Sequence, residues 1–87
     1  MKIVASICRV AGDRVALVAV QKSVTDHSIE ADRYLEALAP AFPGCEVVLM
    51  GRDTEGATTF YGREDLNQKL SEVPLDRIPW QEMDVDL

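Results

Sequence analysis

Metal and redox chemistry are hard to build from this chain, because the side chains they need are nearly absent. Among its 87 residues are two cysteines and one histidine. Cys8, His27 and Cys45 fall at no recognised ligand spacing and are too few for a structural zinc site. No metal or other cofactor is implied. Basic residues are also scarce, with nine Lys and Arg against fifteen Asp and Glu, for a net charge of −6. A non-specific grip on nucleic acid depends on clustered Lys and Arg, so this balance argues against one unless Lys2, Arg9, Arg14, Arg52 and Arg63 gather on one face. No window reaches the roughly 18 apolar residues of a membrane span. The apolar start MKIVASICRV ends at Arg9 and runs into a turn, a poor fit to a secretory leader. The expectation is a cytoplasmic domain in which Cys8 and Cys45 are reduced, buried small hydrophobes. A Cys8–Cys45 disulfide pinning the first strand to the third is the alternative, which spacing alone does not decide.

What the chain does have is apolar material: 47% of its residues, the globular average, enough for a core without disulfides or metal. Its most informative segment is Val15-Ala16-Leu17-Val18-Ala19-Val20, with no polar residue inside it. A strand with one wet face alternates apolar and polar residues. A continuous run predicts a strand covered on both faces. A domain this small buries only about 60% of the surface its unfolded chain exposes, so what covers the second face becomes the central question.

Lys2–Val10 reads as a first strand. Ala11-Gly12-Asp13 supplies a turn, and Arg14–Lys22 returns as a second strand. Ser23–Ser28 offers Thr25, Asp26 and Ser28 as helix caps. Ala31, Leu35, Leu38 and Phe42 then recur at helical spacing, until Pro40 and Pro43-Gly44 end the element. Cys45–Arg52 is a third strand, again apolar on both faces at Val47–Met50. Residues 53–56 make a hairpin turn, and Ala57–Tyr61 is a fourth strand. Arg63–Val73 is a second helix with Leu66, Leu70 and Val73 inward, Glu64 and Asp65 in its first turn, and an Asp65–Lys69 pair at i, i+4. In the tail, Met83, Val85 and Leu87 alternate with acidic residues, the period of a half-buried strand whose outer charges discourage edge pairing. A loose acidic tail over 81–87 is the competing reading.

The pattern predicts one α+β domain over residues 1–87, in the order ββαββα with 81–87 as a fifth strand or a tail. Its mixed sheet has four or five strands packed on helices. The helix-bearing link from Lys22 to Cys45 is long enough to place the third strand parallel to one strand of the first hairpin.

Few residues stand out for chemistry. Arg52 opens the charged turn 52–56. Tyr61 and Arg63 flank a glycine where a strand enters a helix, so backbone amides, a hydroxyl and a guanidinium could together hold an anion. Glu64 and Asp65 compete for the same helix end. Arg52, Tyr61 and Arg63 are therefore the candidate ligand residues. His27, between Asp26 and Ser28, belongs to a capping segment, since neighbours in sequence do not assemble a triad. Trp80, with Met83, Val85 and Leu87, is a candidate interface, and Trp80 reads equally as a lid closing one end of the core. No catalytic residue is assigned.

The stretch Pro43–Val73, with its proline before a strand, a hairpin and a glycine leading into a helix, resembles the C-terminal half of thioredoxin- and glutaredoxin-like folds. The core of that resemblance is residues 45–73. The C-x-x-C of those proteins is missing, so redox activity does not follow. As a whole, with VVLMGRDTEGATTFYGREDL followed by PLDRIPW, the chain resembles a small bacterial protein family with no assigned activity.

The leading expectation is a non-enzymatic protein-interaction module, homodimeric through the sheet face or the C-terminal strand. An anion-binding or enzymatic role at the Tyr61–Arg63 corner is the alternative. Helices on one face would leave the other to the tail or to a second subunit. Helices on opposite faces would remove the main support for the interaction module.

Overall fold

A computed structural model describes residues 2–10, 12–52, 55, 58–73 and 78–85. The apolar run Val15–Val20 lies within β2 (Asp13–Gln21), the middle strand of a five-stranded sheet ordered β4-β3-β2-β1-β5. β1 (Lys2–Val10) is antiparallel to β2, with Val10 opposite Asp13, and Gly12, just before β2, has φ 85°. β3 (Glu46–Arg52) runs parallel to β2, and β4 (Thr58–Tyr61) antiparallel to β3. The tail forms β5 (Gln81–Asp84), antiparallel to β1, so the period-two alternation of Met83 and its acidic neighbours marks a true edge strand.

Both faces are covered within the chain. On one face Ile3, Ala5, Ala16, Val18 and Leu49 pack with Val24, Ala31, Leu38 and Phe42, all under 9% exposed, and Met83 and Val85 join them. Their cover is a one-turn helix α1 (Lys22–Thr25), α2 (Ser28–Leu38) and a 3-10 turn over Ala39–Ala41. On the other face Val10, Val15, Leu17, Val48 and Met50 meet Leu66 and Leu70 of α3 (Glu64–Leu70), closed by Ile78 with Trp80 beside it. The double-faced run is thus satisfied by helices on opposite sides.

Local details depart from the sequence-based expectation for identifiable reasons. The caps expected in 23–28 are engaged one turn earlier: the Thr25 hydroxyl donates to the Lys22 carbonyl at 2.9 Å, and Lys22 Nζ donates to Asp26 at 3.0 Å. α2 instead starts after His27 with no side-chain cap. It ends at Leu38 because Pro40, lacking an amide hydrogen, carries the chain into the 3-10 turn, yet Phe42 still reaches the core. The Asp65–Lys69 pair gives way to Arg63, whose fork binds the Asp65 carboxylate through two nitrogens, at 2.7 and 2.9 Å. Cys8, in β1, and Cys45, just before β3, are free thiols packed on opposite faces, with β2 between β1 and β3. Burial pushes the Cys8 thiol above its ordinary pKa. No helix among the described residues is long and apolar enough to cross a membrane.

Candidate functional site

The corner where β4 enters α3 is concave, an open pocket of about 480 Å³. Gly62 lets the chain pass close to β3 there: a Cβ would stand 3.0 Å from Val48 Cγ2 and 3.3 Å from the Val47 carbonyl oxygen, a tight fit. Asn67 Nδ2 donates to the Gly62 carbonyl at 3.3 Å and ties the helix to the turn. Tyr61 and Arg63 both line this pocket with Asp32, Cys45 and Glu46. The Tyr61 hydroxyl donates to Asp32 at 2.9 Å, and this bond, aided by partial burial, pushes the phenol above its ordinary pKa.

Arg63 is already matched. Its Nη2 donates to Asp13 at 2.6 Å, its Nε to Asp65 at 2.7 Å, and Glu46 lies 3.9 Å from Nη1. Three carboxylates around one guanidinium, with Asp32 nearby, leave the corner acidic. It holds no spare positive charge for an anion. The hydrogen bond from Arg63 also sets Asp65 below the usual carboxylate range.

A depressed folded-state pKa contributes stability that is present above the unfolded value and is lost as pH falls through the folded one. Arg63→Gln is therefore expected to be less stable than the parent near neutral pH. The gap should close as pH drops below about 4, and high salt should narrow it because every partner is exposed. Urea titrations at several pH values check this; a gap independent of pH would assign the loss to packing instead.

The second concavity lies at the opposite end of the sheet, where β1 begins and β2 and β3 finish. It is an open pocket of about 570 Å³, within the size range of small-molecule sites. It wraps the end of the sheet: Ile3, Val18, Val20, Val24 and Tyr34 line it from the α1–α2 face, and Lys2, Val4, Ala19, Gln21 and Arg52 from the α3 face. The seven residues of β3 separate Arg52 from the Arg63 corner by about 20 Å, so the three candidate ligand residues form two sites rather than one.

Register arranges this end. Ala19 stands opposite Val4 on one side and Met50 on the other, and Gln21 stands opposite Arg52. Continuing the β1–β2 register by two residues puts Lys2 opposite Gln21. Because residues directly opposite share a face, Lys2, Gln21 and Arg52 form one row, with Val4 and Ala19 one row further in. Lys2, Ala19 and Gln21 carry no sequence signal for this site; the register alone brings them together with Arg52.

The remaining candidates resolve individually. His27 is exposed, its Nδ1 2.8 Å from the Ser23 carbonyl oxygen. Trp80, Met83 and Val85 pack on the chain's own core. Leu87 and most of the turn 53–56 lie outside the described residues. Comparison with protein-family models, curated proteins and solved structures found no match to this chain.

Proposed function

We propose that this chain is a non-enzymatic small-molecule-binding domain whose site is the pocket at the β1 start and the β2–β3 end. The observation that carries this reading is the row of Lys2, Gln21 and Arg52 from three strands beside Val4 and Ala19, at a sheet end whose concavity Val24 and Tyr34 line from the other face, a few polar groups set against apolar ones as in a ligand pocket. Its position agrees, since open sheets with parallel strands tend to bind ligands beyond the carboxyl ends of those strands. The corner at Arg63 has weaker support, because its cation is consumed by Asp13, Asp65 and Glu46. Self-association through the C-terminal strand also has little support. Trp80, Met83 and Val85 face the chain's own core, and β5 carries Glu82 and Asp84, which oppose pairing with a second copy.

Small aromatic probes, charged and neutral, titrated into labelled protein should shift the amide resonances of Val4, Val20 and Gln21 in a localised set. Ala19→Phe, which fills the space between Val4 and Gln21, should abolish those shifts while leaving the melting temperature within a few degrees of the parent. Shifts scattered over the surface, or an unaffected response in Ala19→Phe, would sink the reading.

A further inference from the structure

The charges at this pocket are of one sign, although the chain as a whole carries −6. Lys2 and Arg52 are its two charged lining residues, held two strand spacings apart, about 10 Å, with the Gln21 amide between them. Arg52 makes no ion pair among the described residues. Lys2 is 3.4 Å from Glu82, but both side chains are more than 60% exposed, and such pairs are weak and readily exchanged. Asp84 stands opposite Lys2 on β5. Among the described residues, the acids therefore sit on the β5 side of the row and Arg52 on its β3 side. Next to the cationic row, Ala19 is the small residue between Val4 and Met50, and Val4 is 42% exposed. Val4 is one of three large hydrophobics left exposed on the described surface, and it lines this pocket.

We propose that the ligand is a small organic anion, its headgroup held by Arg52 and Gln21 with Lys2 closing from the other side, and its flat apolar body lying over Ala19 and Val4. This rests on the pocket being the binding site and adds the chemistry of what enters it. A guanidinium can engage either a carboxylate or a phosphate through two parallel hydrogen bonds. The row is too small for a polyanion, and the acids of β5 would repel one.

Three probes of similar shape separate the outcomes: benzoate, phenyl phosphate and uncharged benzyl alcohol, titrated against the amides of Val4, Gln21 and Arg52. At least one anion is expected to bind at least tenfold more tightly than benzyl alcohol, and the stronger of the two identifies the headgroup. Arg52→Gln should reduce that advantage to less than twofold, Arg52→Lys should retain part of it, and Lys2→Gln should fall between. Added salt should erode it in the parent. Circular-dichroism melts confirm that each variant is folded, which these exposed positions allow. If benzyl alcohol binds as tightly as both anions, the anion inference is overturned while the pocket stands. If none of the three moves these resonances, both readings fail.

Discussion

Leu17→Ala is expected to lower the unfolding free energy by about 3 kcal/mol, a large part of the roughly 5–12 kcal/mol available to a domain of this length. Leu17 is fully buried in the central strand. Its side chain belongs to the cluster of Val15, Val48, Met50, Leu66 and Leu70, beneath α3. Backbone on both sides of β2 is fixed by strand pairing, so the wall cannot collapse into the space left behind, and the cavity adds to the lost transfer energy. Ile7→Ala on the neighbouring strand is the control: Ile7 is 49% exposed, and its loss should cost well under half as much. Urea denaturation gives both values. The midpoint should also be independent of protein concentration, because α3 and Ile78 close this face within one chain. A midpoint that rises with concentration would mean that a second copy completes the face.

The strands were readable because their signal is local. β1 matches the predicted Lys2–Val10, and the bounds of β2, β3 and β4 differ from expectation by one residue. The apolar runs at Val15–Val20 and Val47–Met50 correctly marked the two strands covered on both faces. Which helix lies on which face was not readable. The helical stripes of Ala31-Leu35-Leu38 and Leu66-Leu70 show which side of each helix turns inward, but not which side of the sheet it meets. That choice depends on the path of the connections, and it decides whether the chain needs a partner to close its core.

The site was less legible for the same reason. A glycine between Tyr61 and Arg63 marked a real concavity, but its charge is set from a distance. Asp13, fifty residues before Arg63, and Glu46 reach the guanidinium only through strand pairing. Arg52 looked like part of a hairpin turn. Its significance comes from standing in one row with Gln21 and Lys2, and a row across three strands exists only once register is known. Tyr34 gave no hint either, because a tyrosine on an amphipathic helix is ordinary core material until a strand end is placed beneath it.

Gly51→Ala is expected to destabilise the protein by about 2 kcal/mol, lowering the melting temperature by roughly 8–16 °C. The direction is the informative part. Elsewhere in a strand, replacing glycine by alanine gains about 0.5–1 kcal/mol by restricting the unfolded chain. Gly51 has no positive φ that alanine would have to strain to adopt. The cost comes from α1, which sits directly on β3 at this point. A Cβ would collide with the Thr25 hydroxyl, stand 2.9 Å from Thr25 Cγ2 and 3.1 Å from Lys22 Cα. The Thr25 side chain cannot swing away cheaply, since its hydroxyl is bonded to the Lys22 carbonyl and the residue is 7% exposed. The Lys22 backbone cannot retreat either, because α1 follows β2 with no linker between Gln21 and Lys22. Accommodation therefore means lifting α1 and exposing Val24, which is buried in the core and also lines the pocket. Because Val24 lies on the opposite face from Val4 and Ala19, the loss is one of stability, and binding by the folded protein at the row of Lys2, Gln21 and Arg52 should be unchanged. Gly44→Ala is the contrasting case: its Cβ would meet nothing within 4 Å, but φ is 79°, so any cost there is backbone strain. A Gly51→Ala protein that melts at or above the parent temperature would show that α1 is not seated on β3 and that the wall of the pocket it provides is absent.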